Sequence, residues 1–255
     1  MTMPTPPSPY QAYFDYLAEH VITPFYETRL NNLKQLHLSS VLKRKNPYLF
    51  KAKNIEIAGE LVKSIVDAFL SSQEETLFGN LLEGFAVYLS STLYGGFKSN
   101  RKSLDLEFER GGVYYIVGIK SGTNWGNSDQ INTMKRNFKI ARQSLKENGV
   151  ATPIVAVNGC IYGKERNPLK TDSDPDLAYY KYAGQDFWQF LSGDEQMYQQ
   201  IIAPIDAQAR QKDETFRAAY AAKINEMTVE FTADFMTNNL IDWSKFVDYV
   251  SKREA

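Results

Sequence analysis

Two β-forming stretches separated by a pair of glycines constrain this chain more than any other feature. Residues 103–109 (Ser-Leu-Asp-Leu-Glu-Phe-Glu) alternate apolar and polar side chains, and residues 113–120 (Val-Tyr-Tyr-Ile-Val-Gly-Ile-Lys) are rich in β-branched and aromatic residues. Arg110-Gly111-Gly112 between them reads as a turn, because glycine takes up positive φ at little steric cost. The pattern therefore predicts a β-hairpin. A polar loop, Ser121 to Asn127, leads into a helical pattern from about Ser128 to Asn148, and residues 152–161 are apolar almost throughout. A nearly continuous apolar run of that length suits a strand buried on both faces. A hairpin, a helix and a buried strand in this order predict an α/β core over about residues 80–185.

Helical patterns flank the core on both sides. Tyr13, Phe14, Leu17, Val21 and Phe25 recur at spacings of three and four within residues 10–36, Ser8 stands at the N-cap position, and Pro24 bends or splits the helix. Two further helices are expected at 54–71 and 73–91, the second starting at Ser72 with Glu74 and Glu75 in its first turn and ending at Gly95-Gly96. A polar loop covers 163–176 and a short strand is expected at 178–183. From Asp186 the pattern is helical nearly to the end, with breaks near Pro204 and Asn238-Asn239. The expected organisation is a flexible Pro-rich arm over 1–9 and a single domain over 10–255, with its core at about 73–185 and a helical part at about 186–250.

Composition removes several function classes. One cysteine, Cys160, excludes an internal disulfide framework and a multi-cysteine zinc site, and two histidines, His20 and His37, leave little for a histidine-based metal centre. No apolar run reaches the roughly 18 residues of a membrane helix, and the opening MTMPTPPSP has neither the basic nor the apolar region of a signal peptide. A soluble, cytoplasmic protein with no membrane partner is expected. With a formal net charge of −1, nucleic-acid binding would have to come from local basic patches.

The hairpin also carries the chemistry. Side chains alternate along a strand, so Asp105, Glu107 and Glu109 share one face, and pairing across the turn brings Lys120 towards Asp105. A carboxylate and a lysine at strand ends beside a polar loop can hold a divalent cation and a nucleophilic water, since hard cations such as Mg²⁺ take oxygen ligands. The plain alternative is a surface hairpin with ordinary charges. Three neighbours favour the chemical reading: a helix carrying Glu83 just before the hairpin, the polar loop with Trp125, Asn127 and Gln130, and a basic helix with Lys135, Arg136, Lys139 and Arg142.

The order helix-Glu, strand-Asp, hairpin turn, strand-x-x-Lys, helix, buried strand resembles the PD-(D/E)xK nuclease superfamily. Within it, DLEFERGGVYYIVGIKSGTNWGNSDQ is similar to type II restriction endonucleases that cut GGNCC-like sites, as are KNPYLF, FGNLLEGFAVYLS, YAGQDFWQFLSG and IDWSKFV. The resemblance covers most of residues 40–250. It implies a restriction-endonuclease-like core, a central mixed β-sheet flanked by helices, with additional N- and C-terminal helices. It also implies Mg²⁺-dependent cleavage of double-stranded DNA, 5′-phosphate products and a homodimer. Asp105 matches the metal-binding aspartate, Lys120 the motif lysine, and Ile119 a residue that offers its main-chain carbonyl to the metal. Leu104 stands in place of the motif proline, and Gly118 stands where the motif has Asp or Glu. The missing carboxylate is then expected from the preceding helix, at Glu83, with Glu107 as the strand alternative. Restoring the motif with Gly118→Glu is expected to rescue in part the activity lost in a Glu83→Gln background.

Other residues fit DNA contacts and fit plainer roles too. Lys43, Arg44 and Lys45 open a stretch of five basic residues that can contact phosphates or form a solvated loop. Asn124, Asn127 and Gln130 suit base edges and equally suit loop and helix-capping duty. Lys135 and Arg136 suit phosphates or a solvated helix face. Cys160 and Trp188 are expected in the core, and His20 and His37 as structural or exposed. The helices over 194–237 suit a dimer interface or internal packing. Two rival functions remain open on sequence: a structure-specific repair nuclease of the same fold, and a non-catalytic DNA-binding or interaction protein that kept the fold without its second strand carboxylate.

Overall fold

The computed structural model describes residues 9–253, so the Ser8 cap and the arm expected before it lie outside the described residues. The chain begins with α1 (Pro9–Tyr16), a π-helical turn (Leu17–Ile22) and α2 (Thr23–Lys34). Pro24 lacks the N–H that would bond four residues back, and the backbone widens into the π turn just ahead of it. Short helices α3 (Leu38–Leu42) and α4 (Pro47–Ala52) follow. The Asn-Pro pair works as a cap, with the Asn46 side chain accepting from the N–H groups of Tyr48 and Leu49.

Helix α5 (Ala58–Tyr94) is one element of 37 residues where two were expected. Ser72 is no N-cap. Its hydroxyl donates to the Ala68 carbonyl at 3.1 Å, and Thr76 does the same to Ser72 at 3.0 Å. Hydroxyls bonded one turn back are satisfied inside a helix, so Ser followed by Glu-Glu need not start one.

The strands and the helix among them are β1 (Phe97–Lys98), β2 (Leu106–Arg110), β3 (Val113–Lys120), α6 (Ser128–Glu147), β4 (Ile154–Cys160), β5 (Leu169–Lys170) and β6 (Tyr179–Ala183). After them come α7 (Gln185–Ser192), α8 (Met197–Gln200), α9 (Ile202–Phe235), β7 (Met236–Thr237), β8 (Leu240–Ile241) and α10 (Trp243–Ser251). Pro204 lies in the first turn of α9, where its missing N–H costs nothing, so the break precedes it. Asn238 and Asn239 take φ of +52° and +61° and close a tight hairpin between β7 and β8, in place of the break in a helix expected there.

The chain divides into two compact units: the residues up to Ile22 with Phe78–Ala207, and Thr23–Leu77 with the residues from Gln208. The first unit is α/β. Its six-stranded sheet has the order β1-β2-β3-β4-β6-β5. Strands β3, β4 and β6 run parallel, while β1, β2 and β5 pair antiparallel at the two sides. The β2–β3 turn is Gly111-Gly112 with φ of +59° and +74°, matching the expected hairpin. Helix α6 crosses from β3 to β4 and seats Met134, Phe138 and Leu145 against Ile116, Ala156 and Tyr179. The architecture is the α/β core that the sequence pattern predicted, with the mixed sheet flanked by helices that the resemblance implied. Cys160 is buried, and burial pushes its thiol up to about 11, so it is inert filling. Trp188 is buried too, its indole donating to the Ile161 carbonyl at 3.0 Å.

The second unit is helical apart from the β7–β8 hairpin. Its core joins Leu61, Ile65 and Phe69 of α5 to Phe231 and Phe235 of α9 and Phe246 of α10. His20 and His37 are exposed. Among the described residues no helix is long and apolar enough to cross a membrane.

Candidate active site

The parallel strands end together: Lys120 pairs with Cys160, and Cys160 with Ala183. The crevice beyond the carboxyl ends of parallel strands is where α/β sheets bind ligands. Asp105 lies just ahead of β2, with its backbone N–H bonded to the Val117 carbonyl at 2.8 Å, so it is held beside the end of β3. Its carboxylate accepts from the Ile119 N–H at 2.6 Å. Lys120 Nζ stands 4.0 Å from Asp105 Oδ2 and donates to the Ile119 carbonyl at 2.8 Å. Asp105, the Ile119 carbonyl and Lys120 therefore meet at one point, the grouping expected from sequence.

Glu83 reaches the same region from α5. Burial raises its affinity for a proton, and the Asp105 carboxylate raises it further, while Lys98 and Lys120 oppose that rise. Lys98 Nζ lies 3.4 Å from Glu83 Oε1. Sequence reading missed Lys98, because a strand of two residues carries no periodic signal. Two carboxylates that repel each other beside a carbonyl oxygen form an oxygen-only donor set, which fits a hard divalent cation. Among the described residues no three His, Cys, Asp or Glu side chains gather as a metal site, so the carbonyl would be the third protein ligand.

Glu107 has other work. Its side chain is buried, accepts from Ser99 Oγ at 2.6 Å and from Tyr114 Oη at 2.9 Å, and lies 3.3 Å from Arg101. Burial, then the bond to Glu107, pushes the Tyr114 hydroxyl up to about 12. A carboxylate with both oxygens engaged in a buried network is a structural anchor.

Gly118 is closed to any side chain. A Cβ there would stand 2.6 Å from the Ser103 carbonyl oxygen. Ser103 itself is held in a left-handed conformation (φ +60°), with Asn137 Nδ2 bonded to its hydroxyl at 2.7 Å. The expected rescue by a carboxylate at 118 is therefore corrected: Gly118→Glu would collide with backbone. Next to Gly118, the buried Asn158 donates to the Gly118 carbonyl at 3.3 Å and accepts from the Trp125 indole at 3.1 Å. The Trp125 ring stands 5.5 Å from Lys120 Nζ. Both line a cleft of about 310 Å³ with Ser103, Gln130 and Met134.

The remaining candidates are placed as follows. Asn127 is the N-cap of α6 and forms a capping box with Gln130, at 3.0 Å in each direction. Asn124 is exposed in the loop before it. The basic face of α6 is largely answered by acids: Lys135 holds Asp172 and Lys139 holds Asp174, each at 2.6 Å. Arg142 is buried on the carbonyls of Ile154, Asp176 and Ala178. Arg136 is exposed and bonds Thr133. In the helical unit, Lys45 donates to the Ala68 carbonyl at 2.6 Å, and Lys43 and Arg44 lean on the rings of Tyr249 and Phe69.

The family model for the type II restriction endonuclease EcoO109I matches residues 14–213 of the chain. No curated protein sequence matches it.

Proposed function

Because the chain belongs to the type II restriction endonuclease EcoO109I family, we propose that it is a Mg²⁺-dependent endonuclease that cuts double-stranded DNA at a specific sequence and leaves 5′-phosphates. The observation that carries this reading is the meeting of Asp105, the Ile119 carbonyl and Lys120, with Glu83 coupled to Asp105. Asp105, Glu83 and the Ile119 carbonyl would hold the metal. When bound, Mg²⁺ offsets charge building on the phosphate and makes water a stronger nucleophile. The Ile119 N–H fixes one Asp105 oxygen and so orients the carboxylate. Lys120, steadied by the Ile119 carbonyl and the Trp125 ring, supplies positive charge to the attacking water and the phosphate oxygens. Water adds to phosphorus in line and gives up a proton to solvent, the P–O3′ bond breaks, and the 3′-oxygen takes up a proton from solvent, so that one water is consumed.

Cutting both strands of a palindromic site takes two such centres, so a homodimer is part of the proposal, its two-fold axis matching that of the site. Incubation with plasmid DNA and Mg²⁺, with EDTA as control, tests the whole. Discrete bands are expected. A smear would mean cleavage without sequence specificity, as in a repair nuclease, and intact DNA with a gel shift would mean binding alone.

The two carboxylates are separated by Glu83→Gln and Glu107→Gln. Glu83→Gln is expected to raise the Mg²⁺ concentration for half-maximal cleavage at least about tenfold, about 1.4 kcal/mol of binding. Glu107→Gln should instead lower stability by about 1–3 kcal/mol, as for a weakened buried hydrogen-bond network, with cleavage retained below its Tm. The reverse pattern overturns the assignment. Glu83 must be ionised to hold a cation, so cleavage should fall as pH drops through its raised pKa. More Mg²⁺ should move that fall to lower pH, because binding releases the proton.

DNA contacts are proposed for Lys43, Arg44, Lys45, Asn124, Asn127, Gln130, Lys135 and Arg136. Replacing Lys43, Arg44 and Lys45 together with alanine should flatten the plot of log affinity against log salt by about 0.9 for each phosphate that is no longer neutralised. Lys45 is engaged with the Ala68 carbonyl, so most of the change should come from Lys43 and Arg44. An unchanged slope returns the stretch to a solvated loop.

A further inference from the structure

Helix α5 approaches the end of β3 so closely at Gly79 that a side chain there would meet the Ser121 hydroxyl where it now stands. A Cβ built on Gly79 would stand 2.5 Å from Ser121 Oγ and 3.7 Å from Ser121 Cβ. Carbon does not approach oxygen that closely without a bond, since ordinary contacts lie at ~3.5–4.0 Å. Glycine is also the poorest helix former after proline, and Gly79 is far from either end of α5, so local propensity does not explain it. The close approach has two well-placed neighbours. Ser121 directly follows Lys120, and Glu83 is four residues after Gly79, on the same helix face.

We propose that Gly79 and Ser121 act as a spacer that sets how far Glu83 stands from Asp105 and Lys120, which makes both of them positioning residues for phosphodiester cleavage. The proposal rests on the reading of the site given above. A methyl group at position 79 must either push α5 away by about 1 Å or swing the Ser121 hydroxyl out of the gap. Displacement of a reacting group by about 1 Å costs on the order of 10²-fold in rate. Swinging the hydroxyl would leave the rate alone. Removing the hydroxyl takes away the clash and leaves the ordinary Cβ contact of 3.7 Å.

The test compares Gly79→Ala, Ser121→Ala and the double variant in the full chain. The readouts are plasmid cleavage over a range of Mg²⁺, DNA affinity in Ca²⁺, and Tm. Gly79→Ala alone is expected to cut about 10–100-fold more slowly and to need more Mg²⁺, with DNA affinity within about threefold of wild type. The double variant should regain most of the rate. In the Ser121→Ala background, Gly79→Ala should raise Tm by about 2–4 °C, as one such exchange does inside a helix of a chain this size, and with Ser121 present the gain should vanish. Wild-type cleavage by Gly79→Ala, or a double variant as slow as Gly79→Ala, overturns the spacer. If the wild-type chain does not cut DNA, the functional reading falls, and Tm alone decides: non-additive shifts uphold the spacer, additive shifts overturn it.

Discussion

Asp105→Asn is expected to lower cleavage by at least about 10³-fold, about 4 kcal/mol of transition-state stabilisation, while leaving the fold intact. The choice of asparagine follows from the geometry. The Asp105 carboxylate accepts from the N–H of Ile119, a buried residue, at 2.6 Å. An asparagine oxygen can keep that bond and still lack the charge a cation needs. Asp105→Ala should be equally inactive and also less stable by about 1–3 kcal/mol, because it leaves that N–H without its acceptor. Cleavage rates with Mg²⁺ and Tm values for the two variants check both halves. An Asp105→Asn protein that cuts at near wild-type rate would remove Asp105 from the site.

Lys120→Ala should lower the cleavage rate by about 10²–10³-fold, about 3–4 kcal/mol, the scale found when one preorganised group facing transition-state charge is removed. Lys120→Arg should recover little. The ammonium sits on the Ile119 carbonyl at 2.8 Å, 5.5 Å from the Trp125 ring, and a planar guanidinium cannot reproduce a compact point charge there. DNA affinity measured in Ca²⁺ should change only a few-fold. Equal losses in binding and in rate would make Lys120 a plain phosphate contact.

The parts of the fold that sequence made legible are those with a repeating signal or a forced conformation. The β2–β3 hairpin has an alternating first strand, a second strand of β-formers and a turn on two glycines; α6 runs long enough to show its period, and β4 is apolar almost throughout. Strands β1 and β5 have two residues each and show none, which is why Lys98 went unseen beside Glu83. The supposed break at Ser72 failed because a serine hydroxyl can serve the helix interior as well as its start. Asp105 and Lys120 could be paired from the hairpin register. Glu83 and Glu107 could not be ranked that way: β2 is buried on both faces over Leu106, Glu107 and Phe108, so strand alternation no longer separates core from site. What ranks them is the bonding of Ser99 and Tyr114 to Glu107, which no local pattern announces. The capping box of Asn127 and Gln130 was legible as one of two options, and the structure shows the cap in use.

The Ser103 carbonyl over Gly118 limits what this position can carry. A strand-borne acid cannot be placed there by one substitution, since a Cβ at 118 meets backbone at 2.6 Å. The obstructing segment would have to move first, and it is tied down by Ser103 to Asn137, by Arg101 to Ser144 and by Ser99 to Glu107. Breaking those bonds to make room would cost stability. On the proposed reading, in which Glu83 supplies the second carboxylate, position 118 has no room to take over from it by a single substitution.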